Sequence, residues 1–151
     1  MAAAQTFHLL FAVLWVGGMF FAVYVLRLAA GPMEPPERVA LWGRAFKKFF
    51  PWVWISIVVL PATGYFMVFE AYSGFKDLPV PYHIMHGLGW VMIALFLHLW
   101  FAPYARFKKA LAAGDVPEAG KNLNQIRIIV TTNLWIGLGN ITLGALGGFI
   151  G

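Results

Sequence analysis

The sequence contains no cysteine. That single absence removes disulfide frameworks, thiolate nucleophiles, iron–sulfur clusters and Cys-based zinc sites together. Charge is nearly as scarce: Asp, Glu, Lys and Arg make up 11% of the 151 residues, against about 25% in a soluble domain. There is no Ser/His/Asp arrangement, no glycine-rich phosphate loop and no pair of carboxylates within one apolar stretch, so the common hydrolytic and phosphoryl-transfer sites are excluded. What the chain does have is grease. Hydrophobic residues reach 61%, where soluble domains hold roughly 45–50%. A chain this short cannot hide that surface in its own core, so it is dissolved in lipid.

The charges that exist are confined to three windows, 27–48, 70–77 and 106–127. Between them lie four charge-free stretches, 1–26, 49–69, 78–105 and 128–151, each at least 21 residues long. A helix rising 1.5 Å per residue needs about 20 apolar residues to cross a hydrocarbon layer of about 30 Å. The expectation is an all-α integral membrane protein, a four-transmembrane-helix bundle that uses residues 1–151 as one domain. The first and third windows each hold five Lys/Arg and the second only Lys76. Basic short loops stay in the cytoplasm, which predicts both termini and the 70–77 loop outside, on the periplasmic side. The leading apolar stretch carries its positive charge after it rather than before it, unlike a cleavable signal. The net charge of +5 thus records topology and attraction to lipid headgroups, and predicts membrane lipid as a partner and no nucleic acid.

Punctuation places the helices at about 4–28, 50–72, 81–104 and 123–149. Pro32-Met33-Glu34-Pro35-Pro36 reads as a rigid non-helical turn. Residues 37–48 then set Val39, Leu41, Trp42, Ala45 and Phe46 against Arg38, Arg44, Lys47 and Lys48, a short amphipathic cytoplasmic helix lying in the interface. Pro61 should bend the second span, with Ser56 and Thr63 repairing the freed carbonyl. The fourth span is rich in glycine. Its pairs Gly144/Gly148 and Gly147/Gly151 suit close helix packing within the bundle or a homo-oligomer.

All four histidines, His8, His83, His86 and His98, fall inside charge-free stretches. Ionisable groups at membrane depth are costly and are functional by default. Counting from the span starts places His8 and His86 at one level, roughly 6–8 Å below the outer surface, with His98 about 18 Å deeper. Two imidazoles from two helices at one depth suit both axial positions of a haem iron, and would be walled by Trp15, Gly18, Tyr82, Phe7, Phe11 and Trp90, with Lys76 near the propionates. His83 and His86, three apart, also project from one helix face. With His8 and the soft sulfur of Met85 they form an alternative copper set. Two readings therefore stand. One is a haem b protein that transfers electrons or does redox chemistry with an unidentified partner, as a membrane oxidoreductase would. The other is a non-catalytic copper-binding or copper-transport protein. Glu70 reads as a boundary carboxylate and His98 as a packing residue.

His8 followed by Leu14-Trp15-Val16-Gly17-Gly18-Met19-Phe20-Phe21 resembles the first helix of the CopD-like copper-resistance membrane domain family, and of the related HemJ-type protoporphyrinogen oxidases. Leu123-Asn124-Gln125-Ile126-Arg127, and the run from His86 through His98 to Arg106, Lys108 and Lys109, are similar to later parts of the same proteins. The resemblance implies a four-helix protein of the bacterial inner membrane with a b-type haem or copper near the outer leaflet. It makes His8 the first-helix haem ligand, and puts His86 at or near the place where HemJ has a lysine. A histidine there implies bis-imidazole ligation and electron transfer rather than protoporphyrinogen oxidation.

Overall fold

The computed structural model describes residues 1–150, with Ile150 described by its backbone alone. Four helices account for nearly all of them, and no strand occurs among the described residues. We number them α1 (Ala2–Ala29), α2 (Pro35–Tyr72), α3 (Val80–Ala112) and α4 (Val116–Ile150). All four are long and apolar enough to cross a membrane, so the chain is a multi-pass membrane protein. Gly151, and with it the Gly147/Gly151 pair, lies outside the described residues.

The breaks between helices have local causes. The α1–α2 turn is shorter than expected: Glu34 is extended and Pro35 already opens α2, because proline in a first turn forfeits no hydrogen bond. Ser73 (φ 55°) and Gly74 (φ 121°) turn the chain out of α2 through left-handed backbone. Gly114 (φ 68°) does the same after α3. Asp115 then caps α4, its Oδ1 accepting the Glu118 N–H at 3.1 Å.

The helices overrun the charge-free stretches. The expected separate amphipathic helix is instead the start of α2, which runs 38 residues through Pro51 and Pro61. At 1.5 Å per residue that is about 57 Å, far more than the hydrocarbon layer. A proline removes one N–H from the ladder, and in a long packed helix its neighbours hold the rod together. Nor does residue 37–48 offer its apolar face to the interface. Val39, Trp42 and Phe46 are buried, and Phe46 meets Tyr104 and Phe107 of α3 edge-to-face at 5.9 and 5.8 Å. The third and fourth helices likewise extend through Arg106–Lys109 and Glu118–Lys121. Ser56 and Thr63 do not reach the Ile57 carbonyl that Pro61 frees. Ser56 donates to Trp52 O, and Thr63 to Val59 O and Leu60 O.

Helix α1 packs along α2, α3 packs along α4, and α4 also touches α1 and α2. The core is lopsided. Toward the charged end, Phe50 stacks on Phe46 at 4.9 Å and meets Tyr104 and Phe96 edge-on at 4.8 and 5.6 Å. Edge-to-face pairs of this kind add about 0.5–1.5 kcal/mol beyond burial. Arg106 ties the same end: its guanidinium donates to Asn122 Oδ1 at 2.9 Å and Gln125 Oε1 at 2.8 Å. In the opposite half, α1 has no buried residue before Trp15, α2 none after Ser56, and α3 none between Pro81 and Met92. The bundle is closed by aromatics at its charged end and open at the other.

Candidate functional site

The open half holds three of the four histidines. His8 is half-buried on α1 and leans on α2, its Nδ1 2.9 Å from Thr63 Oγ1. The Thr63 hydroxyl proton is already committed, donated to Val59 O at 2.7 Å with Leu60 O at 3.2 Å. With its proton on Val59 O, Thr63 Oγ1 accepts from His8 Nδ1–H, the tautomer that keeps the lone pair on Nε2. Gly64 provides the bed for the ring: a Cβ there would lie 3.4 Å from His8 Cε1. Fixing one imidazole nitrogen through a second residue is how proteins orient a metal-binding histidine.

His86 is half-buried on α3 and meets a different part of α2. Its ring packs edge-on against Tyr65 at 5.2 Å and tilts against Phe75 at 5.1 Å. Tyr65 Oη accepts from Trp90 Nε1 at 3.2 Å and sits 3.4 Å from His86 Nε2. His83 is exposed, its ring 6.1 Å from that of Phe75. Phe75 thus touches both histidines of α3.

Both His8 and His86 reach residues 63–65 of α2, so they share a level. They do not share an axis. Thr63 and Tyr65 are two residues apart and diverge by about 200° around the helix, so His8 and His86 are held by different positions of α2. The other expected lining residues disperse. Met85 faces α4, its Sδ 3.6 Å from where a Gly144 Cβ would be. Tyr82 lies against Gly147 and 6.1 Å from Tyr72. Trp15 is buried with Phe96 in the core, and Gly18 lies under the Phe49 ring. Lys76 is exposed in the loop. Among the described residues no three His, Asp or Glu side chains gather into a cage.

A haem is a flat slab that needs two imidazoles aimed at one another across an open slot. Here the His86 ring is flanked by Tyr65, Phe75 and Trp90, which fill the space beside it. The residues do not fit a bis-imidazole haem in this arrangement.

Sequence reasoning did not assign Thr63, Gly64, Tyr65 or Phe75 to the site. A threonine two residues after an intramembrane proline was the available signal for the first. His98, expected as a packing residue, is exposed, and Asn122 serves Arg106 and Glu118. Asn133 and Asn140 of α4 donate across to α3, to Met92 O at 3.1 Å and Met85 O at 3.2 Å. The threonines beside them bond back to their own helix.

A family model described as CopD, copper resistance protein D, matches residues 43–146. The chain belongs to this family. The CopD match takes in most of α2, all of α3 and most of α4, and so includes Thr63, Tyr65, His83 and His86. Helix α1, with His8 and the Trp15–Gly18 run, precedes it. No curated protein and no solved structure matches the chain.

Proposed function

We propose that this CopD protein is a copper-handling membrane protein in which the copper ion is cargo, bound by imidazole and passed along the membrane or across it. The carrying observation is the state of His8. It is a half-buried histidine of a membrane span whose Nδ1 lies 2.9 Å from Thr63 Oγ1, so a ring protonated on Nδ1 offers Nε2 as a nitrogen ligand at a depth where ionisable groups are costly. Imidazole is a good ligand for copper. His83, exposed near the loop between α2 and α3, is the first nitrogen an incoming ion meets, and His86 flanks the same Phe75 ring one turn deeper. The open half of the bundle gives an ion room to reach them. The positive-inside rule supports a reading with this half on the periplasmic face of the bacterial inner membrane and windows 27–48 and 106–127 in the cytoplasm.

The test is a Cu(I) titration of purified protein against a chromophoric chelator. Wild type should compete for stoichiometric copper, and His8→Ala should weaken binding at least about tenfold, the lower end for loss of a metal-site group. Unchanged affinity in both His8→Ala and His86→Ala overturns the reading. So does a purified protein with a stoichiometric Soret band that sharpens on dithionite reduction.

A further inference from the structure

At the closed end of the bundle, α2 and the end of α3 frame a cleft of about 430 Å³ that the copper reading does not use. Its rim carries Arg44, Lys47 and Lys108; its floor is Ala40, Gly43 and Leu111, with Tyr104 on one wall. The floor is close-fitting: a Cβ on Gly43 would come within 2.7 Å of Leu111 Cδ1. Three cations line this cleft and no carboxylate does. Lys108 is held by ring faces rather than by an acid, its Nζ 4.7 Å from the Tyr104 centroid and 5.2 Å from that of Trp100. Such contacts orient an ammonium without neutralising it.

We propose that this cleft binds the headgroup phosphate of an anionic phospholipid. Its level is set by the sequence: Arg44 and Lys47 immediately precede the charge-free stretch 49–69, and Tyr104 and Lys108 bracket the end of 78–105. Whichever way the chain is inserted, that is the boundary between hydrocarbon and water. The stripe continues inward as exposed apolar side chains. Phe101, 71% exposed, lies one turn from Tyr104, and Ile55 and Val58 carry on the α2 face that begins with Arg44 and Lys47. A phosphate on the cations thus leaves its acyl chains along a greasy track, while a soluble phosphate would find only the rim. Basic pockets between transmembrane helices at a membrane surface have the chemistry that holds such headgroups.

The experiment is native mass spectrometry of the full-length protein, titrated with phosphatidylglycerol or phosphatidylcholine. Wild type should retain one phosphatidylglycerol in preference to phosphatidylcholine, and Arg44→Gln/Lys47→Gln/Lys108→Gln should lose that preference. The single change Lys47→Gln, on an exposed side chain, should weaken it about fivefold, the weight of one cation near an anionic surface. Lys121→Gln, exposed and outside the cleft, should leave it intact. Equal retention of the two lipids by wild type overturns the proposal, as does an unchanged preference in both the triple variant and Lys47→Gln. Displacement of the bound lipid by millimolar inorganic phosphate alone would show a site for free phosphate and overturn it too.

Discussion

One hydroxyl decides which nitrogen of His8 is available. Thr63 Oγ1 donates to Val59 O and lies 2.9 Å from Nδ1, and among the described residues no other side chain hydrogen-bonds the His8 ring. Thr63→Val keeps the shape and removes the acceptor. The orientation of the imidazole is then lost, and Cu(I) affinity should fall about 10- to 100-fold, as for loss of an outer-shell partner. Thr63→Ser restores the acceptor and should restore most of the affinity, measured by the same chelator competition. Retention of full affinity by Thr63→Val would mean that this hydrogen bond does not prepare the ligand. The histidines themselves were legible in the sequence, because ionisable groups inside a span stand out against apolar neighbours. Their partners were not. A threonine in a membrane helix bonds its own backbone in most positions, and only packing shows that this one also serves a neighbour.

For the helices, glycine has different meanings at neighbouring positions of α4. At Gly137 a Cβ would meet Val16 Cγ2 at 2.8 Å and Met92 Cε at 3.1 Å. Val16 is buried and β-branched, so it has little freedom to give way. Gly137→Ala should destabilise the bundle by about 1–3 kcal/mol, seen as a lower melting temperature in detergent. Gly139, two residues on, has nothing within 4 Å. Gly139→Ala should be neutral or stabilising by up to about 1 kcal/mol, since alanine orders a helix better than glycine. Equal melting of the two variants would refute this account of α4 packing. The same helix shows why the small-residue pattern was ambiguous. Gly137, Gly144 and Gly147 pack against Val16, Met85 and Tyr82 within the bundle, and spacing cannot say which helix a glycine faces. Helix ends were misplaced for a related reason. Charge marks where a chain leaves lipid, but a helix stops only where the backbone breaks, as at Ser73, Gly74 and Gly114. The run 37–48 was correctly amphipathic and wrongly assigned to the interface, because α3 supplies the apolar partner that its pattern demands.

At the scale of the molecule, the bundle is asymmetric along its length. Aromatic packing, the Arg106–Asn122 clamp and ten of the eleven basic residues gather at one end, and the half-buried histidines at the other. A closed basic end and an open histidine end suit a protein that receives an ion from one side. The absence of cysteine makes the topology easy to check. Single cysteines at Ser73 and Ala113, on loops at opposite ends, should react differently with an impermeant maleimide in intact cells. Position 73 should label from outside and position 113 only after permeabilisation; the reverse pattern would invert the proposed orientation.

The amino-acid sequence alone determined the solvent and the number of crossings. Hydrophobic length and charge position act locally along the chain, so no tertiary contact is needed to read them. Direction was decided only by the fold. Whether two imidazoles at one height face each other depends on how four helices rotate about their axes. That rotation is set by side chains meeting across helices: Phe46 on Phe107, Val16 on Gly137, His8 on Thr63. These contacts set His8 against Thr63 and His86 against Tyr65 and Phe75, attachments that spacing along the chain does not reveal.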